Sequence, residues 1–294
     1  MSKKPQTIRS FFKQFPDDET CLQHLFEVRF GQGYTCPSCK RPSNWYRIKA
    51  ERAYSCQWCG HHLHPTVGTP FALTRTPLQM WFYAIFLFTT TRNGVAAKEL
   101  QRQLGVTYKT AWRMAGLIRE HMANVDGNNR VGGHFHTVEC DETLVGGKAD
   151  GMGKGYIANK TMVMGMLERG GEVSTHIIKT ANRETLHSLI KEHVRPGSTI
   201  NTDEAYGYRG LSEYGYRHVT VNHGIGEYAR KDGAGVNAME SFWSQLKRMI
   251  NGTHIHVSPK HLWKYAKEAE YRFNRRNEPF VMLDELLRTF QPSH

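Results

Sequence analysis

From His136 to Thr143 the chain reads HTVECDET, and the segments after it repeat its character: Lys160 to Glu168, Glu172 to Ile178, Thr199 to Asp203, and Arg217 to Val221. Each is short, carries β-branched residues and stops near turn formers, so each is predicted as a strand. The second and third form a hairpin closed by Arg169-Gly170-Gly171. Arg183 to His193 is predicted as a helix capped by Asn182, and Asn237 to Ile250 as a helix with the apolar stripe Met239, Trp243, Leu246 and Ile250. Strands first and a helical crossover afterwards predict a mixed sheet layered with helices, an α/β or α+β fold.

Three acids occupy suggestive places on this frame. Asp141 lies within the first strand, and Asp203 ends the fourth, just before Tyr206-Gly207. Glu240 lies on the last long helix, where Asn237, Glu240, Ser244 and Lys247 share one face at spacings of three, four and three. Two carboxylates about 4 Å apart repel by roughly 4 kcal/mol at an effective dielectric of about 20, so a cluster of three needs a cation. Mg²⁺ takes oxygen ligands, and a pair of ions about 4 Å apart suits phosphodiester displacement. Taken singly the acids stay ambiguous: Asp203 also reads as a turn residue, Glu240 and Lys247 as a solvated helix face, and Asp141 or Glu142 as a strand-edge acid.

The amino-terminal third has its own signature. Cys36-Pro-Ser-Cys39 and Cys56-Gln-Trp-Cys59 are separated by sixteen residues. Two such knuckles place four thiolates for one tetrahedral Zn²⁺, with strands between them, and a closed set of four cysteines leaves no open position for catalysis. The alternatives are unpaired buried cysteines or a redox pair. His61, His62 and His64 follow a complete ligand set and are expected to be exposed polar residues, while Cys21 and Cys140 are expected in the core. Past Thr76-Pro77, Leu78 to Phe88 is apolar nearly all round, the pattern of a buried helix. Leu100 and Leu104 then end one amphipathic helix, Gly105 turns the chain, and Thr107 caps a second helix with the core stripe Ala111, Met114, Ala115 and Ile118. This is a helix-turn-helix pattern whose outer face offers Tyr108, Lys109, Trp112 and Arg113 to DNA, or else a helical hairpin that only packs.

Composition sets the bounds. The chain has 294 residues, 39 Lys+Arg against 27 Asp+Glu and a net charge of +12. Seven of those net charges fall in the first 100 residues, while residues 101–150 and 201–250, which contain the three acids, are neutral. Basic excess of this kind is compatible with nucleic acid. The longest apolar run, Met80 to Phe88, is too short for the ~20 residues that a bilayer requires, so no membrane partner is expected. The basic start MSKKPQTIRSFFKQF lacks a secretory apolar region, which predicts a cytoplasmic protein, nucleoid-associated in a prokaryote, without disulfides.

The ordered set CPSC, CQWC, VECDETLVGGK, INTDEAYGY, NAMESFWSQLKR and HLWKYAKEAEYRFNRR resembles the insertion-sequence transposases that carry an amino-terminal zinc ribbon and a DDE catalytic domain. The resemblance covers nearly the whole chain. It implies a multidomain α+β protein: a helical start plus zinc ribbon over 1–70, a helix-turn-helix DNA-binding segment over 71–130, and a ribonuclease-H-like catalytic domain with a C-terminal helix over 131–294. It also implies that Asp141, Asp203 and Glu240 bind two Mg²⁺ or Mn²⁺ ions, and that Lys247, at the E-x6-K interval, contacts DNA near the cleaved phosphate. Members of this group vary in the third acid, some using Asn, which makes Asn237 the rival of Glu240. Glu142 and Glu204 are expected to point away from the face used by Asp141 and Asp203.

The implied activity is binding of element ends, metal-dependent strand cleavage and 3′-end transfer to double-stranded target DNA by a homodimer or higher assembly. The alternatives are a zinc-ribbon DNA-binding regulator with an inactive catalytic domain and a metal-dependent nuclease without strand transfer. The Gly-rich stretch His223 to Val236 is expected to order over DNA. The last helix, from Ser258-Pro259, is expected to track the backbone with Lys260, Lys264, Lys267, Arg275 and Arg276, or to be simply solvated.

Overall fold

The computed structural model describes residues 6–127, 129–146, 160–221 and 235–290. The chain divides into two compact units, one of residues 1–121 with 278–294 and one of residues 122–277.

In the first unit α1 (Ile8–Gln14) and α2 (Asp18–Arg29) precede a three-stranded antiparallel sheet of β1 (Trp45–Ile48), β2 (Ala53–Cys56) and β3 (His62–Leu63). Then come α3 (Leu78–Thr90), α4 (Ala97–Leu104) and α5 (Tyr108–Asp126), the residues of α5 from 122 onward falling in the second unit. The all-apolar stretch forms α3 as the sequence predicts, with Leu78, Trp81, Phe82, Ile85 and Phe88 fully buried. The backbone amide of Gln79 in its first turn donates to Asp18 Oδ1 at 3.0 Å, so the helix is capped from α2 and not by its own flank. The late helix α9 (Met282–Arg288) belongs to this unit too: its Leu287 and Leu286 carbonyls meet His24 Nε2 at 3.1 Å and His121 Nε2 at 2.8 Å. The boundaries drawn from sequence group these residues with the acids, because nothing local marks a partner more than 150 residues away.

The second unit contains β4 (Val131–Gly132), β5 (Thr137–Val145), β6 (Thr161–Glu168), β7 (Val173–Ile178), α6 (Arg183–His193), β8 (Val194–Arg195), β9 (Thr199–Thr202), β10 (Arg217–Thr220), α7 (Asn237–Arg248) and α8 (Pro259–Asn274). Its main sheet has the order β10-β9-β5-β6-β7, with β5, β6 and β7 antiparallel in sequence and β9 and β10 parallel to β5. Mixed pairing in this order, with helices on both faces, is the ribonuclease-H-like arrangement, and the whole is a multidomain α+β architecture.

Alternation along the strands separates two cores. Val138, Cys140, Met164, Met166 and Ile200 face Leu186 and Ile190 of α6. Val145, Val163 and Leu167 face Met239, Phe242 and Trp243 of α7 and Leu262 of α8. Gly165 lies on the α7 side, where a Cβ would run into Met239 Cε and meet the Trp243 ring at 2.7 Å, so the helix lies directly on the strand backbone. At the far edge α8 covers β7: the amides of Thr175 and Val173 donate to Glu270 Oε2 and Asn274 Oδ1, both at 2.8 Å. The helix expected through Ile250 is α-helical to Arg248 and continues as a wider π-helical turn, Met249–His254. Ile255, at φ 63°, ends it.

Candidate functional site

Strand register brings the first two acids together. In the parallel pairing of β5 with β9, Thr137 lies beside Thr199, Val138 beside Ile200 and Glu139 beside Asn201. Two residues further along each chain stand Asp141 and Asp203, on the α7 side of the sheet. Asp203 is one residue past β9 and its Oδ1 accepts from the Ala205 amide at 3.0 Å, so it is also the turn residue that the alternative reading described. The third acid arrives on α7: Trp243 Nε1 donates to Asp141 Oδ2 at 3.0 Å, and Glu240, exposed, sits one turn earlier on the same helix. Trp243 was legible only as a core residue, and its donor role is new.

Each of the other two acids lies near enough to affect Asp141. Burial pushes Asp141 up to about 6; the Trp243 hydrogen bond opposes this, and the charges of Asp203 and Glu240 add to it. Among the described residues, the three acids are not one of the groups whose ligand atoms all lie within 4.8 Å of one another. Carboxylates shared between two ions about 4 Å apart need not be that close. Glu142 takes the opposite face as expected, accepts from Tyr208 Oη at 2.6 Å, and is raised to about 7, foremost by burial. Glu204 is exposed, as is Asn237, the first residue of α7. Lys247, also exposed, lines a cleft of about 850 Å³ with Lys160, Ile250, Asn251 and His256.

The cysteines form a second, closed site. Each knuckle repeats one hydrogen bond, Lys40 N to Cys36 O at 2.9 Å and Gly60 N to Cys56 O at 3.1 Å, and each ends on a left-handed residue, Lys40 at φ 60° and Gly60 at φ 72°. The Sγ atoms of Cys36 and Cys59 are 3.7 Å apart, and those of Cys39 and Cys56 are 3.9 Å apart. A tetrahedron with Zn–S bonds of about 2.3 Å has edges of about 3.8 Å, so the four thiols fit a structural zinc. Burial opposes ionisation of Cys56, but hydrogen bonds from Ser43 Oγ and from the amides of Cys59 and Trp58 outweigh it and lower the thiol to about 6. His62 and His64 are exposed as expected, although with Glu51 their ligand atoms also fall within 4.8 Å of one another.

The helix-turn-helix geometry follows the sequence closely. Gly105 turns the chain at φ 65° between α4 and α5, Thr107 Oγ1 accepts from Thr110 N at 3.2 Å, and Ala111, Met114, Ala115 and Ile118 are buried. Tyr108, Lys109, Trp112 and Arg113 are all exposed on the other face. On α8 the expectation narrows: Lys267 pairs with buried Glu270 at 2.7 Å, and Arg275 pairs with buried Asp126, so both serve the fold. Of the stretch His223 to Val236, residues 223–234 lie outside the described residues.

Comparison with known proteins now gives this arrangement a class. The family model described as the ISXO2-like transposase domain matches residues 131–274, and that of the transposase zinc-ribbon domain matches residues 16–62. The chain is 25% identical over 280 residues to an uncharacterized protein in transposable element ISH50 from Halobacterium salinarum, covering 88% of this chain and 92% of that one. It is 30% identical over 106 residues to an uncharacterized transposase-like protein from Haemophilus influenzae, covering 35% of this chain and 81% of the relative. A solved Mos1 transposase paired-end complex with left transposon end aligns at a TM-score of 0.22 and 11% identity, over 71% of this chain and 80% of that one, too distant to support an argument. The fold and the matches define the enzyme class as polynucleotidyl transferase, of the DDE transposase type. Within that class, the chain belongs to the IS1595 family of zinc-ribbon transposases.

Proposed function

We propose that this chain binds the ends of an insertion sequence, cleaves a DNA strand there and joins the 3′-end to target DNA, with Asp141, Asp203 and Glu240 as the metal-binding acids. The observation that carries this reading is the register that sets Asp141 beside Asp203 under the helix bearing Glu240. Glu240 is preferred to Asn237 because it is anionic and keeps the E-x6-K interval to Lys247. The donor set fits Mg²⁺ or Mn²⁺: three carboxylates, one of them half-buried and raised to about 6, foremost by burial, a shift that a bound cation would oppose. When bound, two such ions supply charge neutralisation and activation of the attacking oxygen for in-line displacement.

The chain's own residues do the remaining work. Trp243 orients Asp141, and Lys247, exposed two turns along α7 from Glu240, offers its ammonium group to the DNA backbone. Tyr108, Lys109, Trp112 and Arg113 contact DNA, and the zinc ribbon presents the basic first third to it. The functional partition that goes with this is ribbon to about residue 70, helix-turn-helix to about 130 and catalytic domain beyond. Two element ends are joined in one reaction, which calls for a dimer or higher assembly on DNA. Among the described residues no helix is long and apolar enough to cross a membrane, and we place the protein with its DNA in the cytoplasm or nucleoid.

The test uses zinc-loaded protein, Mg²⁺ or Mn²⁺ and a labelled terminal duplex. Joined product is expected. Cutting alone would make the protein a nuclease, and binding alone a regulator. Asp203→Asn should retain the duplex in a gel shift while cutting falls to background; retained cutting removes Asp203 from the site.

A further inference from the structure

Two residues before each strand acid stands a buried polar side chain that the carboxylate site leaves unexplained. Glu139 precedes Asp141, Asn201 precedes Asp203, and the two are direct partners in the pairing of β5 with β9. They are 1% and 2% exposed. Glu139 Oε1 accepts from Arg169 Nε at 2.6 Å, and its Oε2 accepts from the amide of Met239, the third residue of α7, at 3.0 Å. Arg169 Nη2 donates to the Gly235 carbonyl at 2.9 Å, and Asn201 Nδ2 donates to the same carbonyl at 3.2 Å. These contacts bind Gly235 and Met239, the lead-in and first turn of the helix on which Glu240 is the next residue.

We propose that Glu139, with Arg169 and Asn201, is the positioning element that fixes the start of α7 and thereby sets where the Glu240 carboxylate stands relative to Asp141 and Asp203. The inference rests on the reading of those three acids as the metal site. Glu139 is not itself a ligand, since both of its oxygens are engaged and it is sealed from solvent. A positioning device is physically required here, because Glu240 is repelled by two other carboxylates until cations arrive. A helix turns by about 100° per residue, so a slip of one residue at its start would swing Glu240 away from the site. The flank of α7 supplies no side-chain cap, and the Glu139 carboxylate provides that cap from the sheet, at the end of the helix where negative charge is favourable. Arg169 neutralises the cap, so that it adds no net charge beside Asp141.

Glu139→Gln in the full-length, zinc-loaded chain tests this. In metal-free protein, hydrogen–deuterium exchange of the amides of residues 237–243 should rise about tenfold. Mn²⁺ binding followed by electron paramagnetic resonance should weaken by about 10–100-fold, the usual consequence of losing a group that orients a metal ligand. kcat for cutting should fall with KM for the terminal duplex unchanged. Glu268→Gln breaks another buried ion pair of the same unit, with Arg272 at 2.9 Å, and should lower Tm comparably while leaving exchange in α7 and Mn²⁺ affinity unchanged. If Glu139→Gln does not fold, Asn201→Ala removes one bond to Gly235 and should shift the same readouts in the same direction by a smaller factor. Wild-type exchange and Mn²⁺ affinity in the folded variant overturn the proposal. If Asp203→Asn and Glu240→Gln also bind Mn²⁺ and cut normally, the carboxylate reading itself is wrong; if only they lose both, the site stands and the positioning role alone is lost.

Discussion

The zinc-fitting cysteine site of this chain and the proposed carboxylate site are built by opposite means. The four cysteines fall within 24 residues, and two copies of one turn bring their sulfurs to spacings a zinc tetrahedron already has. The three acids are spread over 100 residues and are brought to one side of the sheet only through a parallel strand pairing and the docking of a helix. The closed site thus depends on local turn chemistry, and the open one on the integrity of a whole sheet-and-helix layer. A perturbation should therefore damage one and spare the other.

Breaking the local site should give the largest effect. Cys56→Ser, or zinc removal by a chelator, forfeits metal-binding free energy on the order of 10 kcal/mol, which a ribbon this small cannot replace. Limited proteolysis should then open residues 36–63 while residues 160–221 stay protected; equal loss of both would erase the contrast. Breaking the docking should cost less. Gly165→Ala drives a methyl group into Met239 and Trp243 and should destabilise the second unit by about 1–3 kcal/mol, visible as a lower Tm and slower cutting with zinc content unchanged.

A pH series sharpens the comparison further. Asp141 is raised in the folded chain to about 6, so its contribution to metal-free stability is full below its ordinary value of 3.8 and is lost as pH rises through about 6. A bound cation needs the ionised form, so the rise in Tm caused by Mg²⁺ should be larger at pH 8 than at pH 5, and the difference should vanish in Asp141→Asn. The smallest effect is expected at the helix-turn-helix, where Arg113→Ala should weaken DNA binding and reduce the slope of its salt dependence by about one.

Most of what is local could be read from the sequence. The Asn182 cap accepts from Thr185 N at 2.9 Å as anticipated, Gly105 is left-handed, and the strand and helix boundaries shift by one or two residues, apart from the π-helical end of α7. Glu139 was hidden although a signal existed: it is two residues before Asp141 and therefore on the same strand face, but only the docked helix reveals what it touches. In the sequence Lys267 and Arg275 look like candidate DNA contacts because their partners, Glu270 three residues on and Asp126 nearly 150 residues back, are buried, and burial is not written locally. The pairing of α9 with the first unit was invisible for the same reason.

The seal that α8 places on β7 has a consequence for the proposed assembly of copies on DNA. An open sheet edge offers any neighbouring chain a row of amides to pair with, which gives association without specificity. Here Glu270 and Asn274 already accept the outward amides of Thr175 and Val173. Growth of the sheet by strand addition is barred at that margin, so copies brought together in the proposed assembly would be steered toward contacts made by side chains.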